Sequence, residues 1–255
     1  MLHDPWFWAA AIPAVVMVGL SKGGLGPLGT LAVPILSLAV SPVQAAGLTL
    51  PIFVLSDVVA VISYRRNFHA PTLMIMLPAA LAGIGLGWLT AARVDDDAVR
   101  VIVGAVSVLF ALNYWVRGRH APDPSPPSTA RGAFWGAVSG FTSFVSHSGG
   151  APFQMYALPL RLEPRVFAGT SVIFFATVNL LKVPPYILLH QFSAENLKAA
   201  ALLTPLSVAC ALATVRLVKV IDPRKFYWIM YLVMFVIGLF LIGQAAIDLV
   251  HPSFA

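Results

Sequence analysis

Of 255 residues, 59% are hydrophobic and only 10% charged, and the mean hydropathy is +0.86, which excludes an ordinary water-soluble domain. A net charge of +6 and a pI near 9.8 would point a soluble protein towards nucleic acid. Here the basic residues stand in short loops between apolar runs, where they act as topology signals, so no nucleic-acid partner is expected. The one cysteine, Cys210, lies inside an apolar run, which excludes an internal disulfide and a cysteine metal cluster.

The chain opens at Met1 to Trp8 without a basic segment or a small-residue cleavage site, an argument against a removed signal peptide. Trp6 and Trp8 read as interfacial anchors. Residues 6–40 form an apolar region too long for one upright helix and broken by glycine and proline, so two short pieces are expected. Runs at 45–64, 72–92 and 98–116 follow, each long enough to cross about 30 Å of hydrocarbon at about 1.5 Å per residue. Residues 120–130 are polar and proline-rich and suit a solvated linker. A second broken region spans 133–160, and runs at 167–189, 199–215 and 226–247 follow it, the middle one short for a span.

The two parts match in order. SKGGLGP (Ser21 to Pro27) aligns with SHSGGAP (Ser146 to Pro152), an offset of 146 − 21 = 125. Ser41-Pro42 then meets Glu163-Pro164, Ala46-Gly47 meets Ala168-Gly169, Asp57 meets Asn179, and Val94-Asp95 meets Ile221-Asp222. Such ordered matches indicate a duplication. Residues 1–118 are read as a first transmembrane repeat, 119–131 as a cytoplasmic linker, and 132–255 as a second repeat.

Charge counting orients the repeats. If each broken region is a hairpin, each half makes an odd number of passes and the second half is inverted. The inner loops then hold Arg65, Arg66, Arg117, Arg119, Arg131, Arg161, Arg165, Arg216, Lys219, Arg224 and Lys225, against Arg93, Arg100 and Lys198 outside, eleven to three. A parallel arrangement would give six inside and eight outside. The positive-inside rule favours inversion, with both termini and Asp95, Asp96 and Asp97 outside. The expected fold is an all-α polytopic membrane protein of two inverted repeats, each a broken or re-entrant helical hairpin followed by three transmembrane helices.

A hairpin turn inside a membrane is tolerable only where protein or a watery cavity meets its unpaired backbone groups. Gly23, Gly24 and Gly26, and again Gly149 and Gly150, permit a tight turn and close approach to a ligand. Pro27 and Pro152 suit the first turn of a new helix, whose free N–H groups form an anion site. Lys22 and His147 occupy matching positions, and Ser21, Ser146 and Ser148 add hydroxyls. The alternative is that these small residues merely let helices pack closely, but an ammonium in a membrane turn costs at least about 2.5 kcal/mol and needs a partner or a function.

Asp57 is the one carboxylate well inside an expected span; it either accepts a coupling proton or pairs with Lys22, with Asn179 as its neutral counterpart. Lys182, just before Pro184-Pro185, either lines the route or snorkels to the outer interface, the second being favoured. His69 and His190 flank spans and read as interfacial. There is no HExxH, GxSxG or P-loop motif, and adjacent Ser146 and His147 on a helix would point about 100° apart. No catalytic residue, cofactor site or metal site is assigned.

The broken stretch followed by SPVQAAGLTLPIFVLSDVVAVISYRR, and SHSGGAP followed by EPRVFAGTSVIFFATVNLLK, resemble the sulfite exporter TauE/SafE family of bacterial membrane transporters over nearly the whole chain. The resemblance implies export of sulfite or another small inorganic or organosulfur anion across the bacterial inner membrane. The chain departs from the commoner run of glycines at the first break by carrying Lys22 and Leu25. The expectation is a secondary transporter working by alternating access, compatible with proton coupling and with a homodimer in the lipid bilayer. An anion channel, or a membrane assembly or receptor protein, is the alternative.

Overall fold

Helix starts follow caps written in the sequence. A computed structural model describes residues 1–2, 4–90, 96–117 and 125–250; Arg93, Val94, Asp95 and Arg119, invoked above for matching and orientation, lie outside them. Asp4 accepts from the Trp6 amide and opens α1 (Pro5–Lys22). Ser41 opens α3 (Pro42–Tyr64), Ser128 opens α6 (Thr129–Val145) and Ser193 opens α9 (Ala194–Val220), each by accepting an amide three residues on. The Asp222 carboxylate takes the amides of Arg224 and Lys225 at the start of α10 (Pro223–Val250). Between these lie α2 (Ala32–Leu36), α4 (Ala70–Thr90), α5 (Asp96–Arg117), α7 (Gly150–Ala157) and α8 (Pro164–Leu188). α6 takes up the end of the proline-rich run.

Among the described residues, seven helices are long and apolar enough to cross a membrane: α1, α3, α4, α5, α8, α9 and α10. Two differ from expectation. α1 is one helix of 18 residues despite Pro13, and only after Gly23–Leu25 does a 3-10 segment, Gly26–Leu31, lead into α2. α9 runs for 27 residues where a short span was expected, because its capped, polar first turn and its basic last turns extend a modest apolar centre.

Both breaks turn back. The Trp6 indole near the start of α1 donates to the Leu38 carbonyl just beyond α2 at 3.1 Å. The Ser125 amide ahead of α6 donates to the Pro159 carbonyl just beyond α7 at 2.9 Å. Each hairpin thus closes at its open end, and three long helices follow each.

Packing between the halves is reciprocal. α1 lies on α9, and α6 lies on α4; α3 meets α8, and α5 meets α10. α3 and α8 run antiparallel. The start of α3 faces the end of α8 at Gly47, where a methyl would collide with the Gln191 carbonyl, and the start of α8 faces the end of α3 at Gly169, where a methyl would collide with the Asn67 carbonyl. These are the Ala-Gly dipeptides matched in the sequence, and at both the missing side chain sets the approach of the backbones.

Candidate functional site

Gly24 has φ +123°, open only to glycine at so little cost, and turns the chain after α1. The Ser21 hydroxyl donates to the Gly26 carbonyl at 2.5 Å across the turn. The Gly23 carbonyl accepts the Tyr64 hydroxyl at 2.7 Å. These bonds hold Lys22, the last residue of α1, in a position where the helix's negative end favours a cation. Its Nζ lies 2.6 Å from Asp57 Oδ1 and 4.7 Å from the Phe53 ring centre. Asp57 Oδ2 accepts from Asn179 Nδ2 at 2.8 Å, so the carboxylate faces Lys22 on one oxygen and the other half of the protein on the other. Lys22 and Asp57 are both only 4% exposed.

The second break is built by other means. His147 holds a left-handed backbone, φ +53°, and Nε2 lies 2.7 Å from the Tyr186 hydroxyl. The Ser146 hydroxyl lies 2.9 Å from that of Ser148, which donates to the Ser146 carbonyl. Ser139 donates to the Gly149 carbonyl at 2.7 Å. α7 starts at Gly150, and its first N–H groups lack intrahelical partners.

Lys182 corrects an expectation. It does not snorkel; it is 1% exposed, because α8 continues through Pro184 and Pro185 to Leu188 and keeps that face against α6. Its Nζ donates to the Ser143 carbonyl at 3.1 Å and hydroxyl at 3.3 Å, and lies 3.5 Å from His147 Nδ1. With Lys182 protonated, Nδ1 accepts and Nε2 carries the proton given to Tyr186. No carboxylate among the described residues comes within 4.0 Å of Lys182.

A small cavity of about 30 Å³ lies between the breaks, large enough to admit water. Ser21, Lys22, His147, Gly149, Gly150, Asn179 and Lys182 line it. Gly23 packs on α9 and Gly24 on Ala168 and Val218, Ser146 and Ser148 bond within their own turn, and Asp57 stands behind Lys22. His69 sits at the α3–α4 turn, bonded to Thr72 and Thr170, and His190 is exposed beyond α8. The expected residues omitted Thr30, Ser143, Phe53 and Phe175 from the lining and both tyrosines from the bracing. The offset that joins Asp57 to Asn179, 179 − 57 = 122, also joins Phe53 to Phe175 and Tyr64 to Tyr186, so four of these residues were within reach of the sequence match.

The architecture defines a polytopic helical membrane protein in which two broken hairpins meet around buried charges. The family profile described as "Sulfite exporter TauE/SafE" matches residues 11–241, and the chain belongs to that family. Its class is therefore membrane transport. No curated protein and no solved structure matches it.

Proposed function

We propose that the protein exports a small sulfur oxyanion, sulfite or an organosulfonate, across the bacterial cytoplasmic membrane by alternating access, holding it where the two breaks meet. The observation that carries this reading is the charge balance. Among the described residues two lysines, Lys22 and Lys182, and one carboxylate, Asp57, are buried beside the open N-terminus of α7, and Asp57 pairs with Lys22. One ammonium is left over. A buried charge without a counter-ion is costly in a membrane, and an anion entering the cavity supplies it. The Lys22–Asp57 pair sets the shape of the first break, while Lys182, His147 and the α7 backbone face the ligand.

The halves are read as inverted repeats. The closed ends of both hairpins support an even return at each break, after which three passes leave the second half upside down. The reciprocal packing of α1 on α9 and α6 on α4 is what a twofold axis in the membrane plane would generate. On this reading the linker end is cytoplasmic and the termini are outside.

The test is flux from reconstituted vesicles with sulfite, sulfate, thiosulfate and short sulfonates. Saturable efflux that responds to a counter-gradient is the expected result. Non-saturable flux would favour a channel, and no flux of any oxyanion would refute transport of this class.

A further inference from the structure

A second cavity, of about 150 Å³, lies at the linker end of the molecule. Arg131 on the first turn of α6, Trp135 one turn on, and Tyr156 on α7 line it, with Phe110 of α5 and Met155 as apolar wall. The Tyr156 side chain is 4% exposed, yet its hydroxyl has no partner among the described residues. The Arg131 guanidinium makes no ion pair among them either. A buried hydroxyl without a partner costs free energy, and Tyr156 is among the residues that line this cavity, with an arginine at its rim.

α7 connects this cavity to the central one. Gly150 lines the central cavity, and Tyr156 lies six residues, about 9 Å, further along the same helix. Between them Gln154 is 1% exposed, and neither atom of its amide has a partner among the described residues. It stands one turn from Gly150 on the same face, its side chain leaning towards that end. Two unpartnered polar groups thus follow one another from the linker end towards the breaks.

We propose that this cavity is a second anion site, an inner vestibule for a small organic oxyanion such as a short sulfonate. The arginine fork takes two oxygens of the head group, the Tyr156 hydroxyl donates to the third, and Phe110, Met155 and Trp135 hold the apolar body. Gln154 then offers the next hydrogen bonds on the way to Gly150. The place of this site on a route rests on the transport reading; its binding does not.

The experiment titrates the purified full chain with methanesulfonate and reads tryptophan emission, with Trp135→Phe as the signal control. A saturable change that Trp135→Phe removes is expected. Arg131→Gln raises the half-saturation point by about tenfold or more, and Tyr156→Phe, which removes one atom, by several-fold. Lys182→Met, at the central cavity, leaves it within about threefold. A Trp135 signal that is absent, indifferent to both vestibule variants, or lost in Lys182→Met overturns the proposal. So does a signal abolished in phosphatidylglycerol nanodiscs with that lipid retained by the wild type and not by Arg131→Gln, which assigns the cavity to a lipid head group. Wild-type vesicles that carry no anion would refute the transport reading and leave the binding isotherm standing.

Discussion

Lys182→Met separates an anion-binding lysine from one that only packs. The side chain loses its charge and keeps its length, and what it leaves behind are the Ser143 carbonyl, the Ser143 hydroxyl and His147 Nδ1, none of which carries a negative charge. Two unit charges about 4 Å apart attract by about 4 kcal/mol at an effective dielectric constant near 20. Allowing half of that for water entering the vacated space leaves about 2 kcal/mol, or roughly a thirtyfold loss of affinity. Stability should move the other way, since an ammonium in a membrane costs about 2.5 to 3.5 kcal/mol by insertion scales and this one has no carboxylate partner among the described residues. Sulfite binding by calorimetry in detergent and thermal unfolding by tryptophan emission give the two readouts. Weaker binding together with an unchanged or higher melting temperature is the expected pair. Binding within about threefold of wild type, or a loss of binding that accompanies unfolding, would refute the assignment of the spare charge to Lys182.

Lys22→Met should behave oppositely, destabilising the fold by about 3 to 5 kcal/mol by leaving Asp57 buried and unpaired; adding Asp57→Leu should restore most of the melting temperature in a double-mutant cycle. Gly47→Ala and Gly169→Ala should each lower the melting temperature by a similar amount, since each methyl meets a backbone carbonyl at equivalent places; a large effect at only one of them would count against equivalence of the halves. In a Cys210→Ala background, Lys198→Cys should react with an impermeant maleimide added to intact cells, and Pro126→Cys only after lysis; equal labelling of both would refute the inverted topology.

Much of the fold is legible because hydropathy reports on lipid directly. The runs at 45–64, 72–92 and 98–116 correspond to α3, α4 and α5 within a few residues. α9 extends beyond its apolar run because hydropathy marks only the apolar centre of a span, while Glu195 and Lys219 at its ends belong to the helix. The pairing of Lys22 with Asp57 was one of two readings the residues allowed, since an intramembrane acid and base limit each other's choices, but their separation is a property of packing. From sequence, snorkelling is the favoured reading of Lys182 because it stands near the outer end of its run, whereas the face it occupies, packed against Ser143 and His147, is a property of packing. Thr30 and Ser143 carry no sequence signal, being small polar residues among many, several of which only bond to their own helix.

Shape and charge are distributed differently across the matched positions, which lie 125 apart at the breaks and 122 apart along α3 and α8. Residues that shape the site keep their identity across the halves: Phe53 with Phe175, Tyr64 with Tyr186, Gly47 with Gly169. Residues that carry charge do not: Lys22 faces His147, Asp57 faces Asn179, and Lys182 corresponds to Ala60, since 182 − 122 = 60. On the inverted-repeat reading, alternating access exchanges the two halves' conformations, so the scaffold must be nearly the same twice for both states to pack well. On the same reading the central anion site lies close to the axis, so its charges need be present only once. Copying the charges would bury two carboxylates and four lysines, each at a cost of several kcal/mol. Asn179 keeps the shape of an aspartate and the ability to hydrogen-bond across the α3–α8 contact without a second charge. Restoring symmetry by Asn179→Asp should therefore place two carboxylates in contact, cancel the spare positive charge, and abolish anion binding at neutral pH while the helices still insert. Unimpaired sulfite binding by that variant would show that the anion is held by backbone amides alone and that the lysine balance is not what selects it.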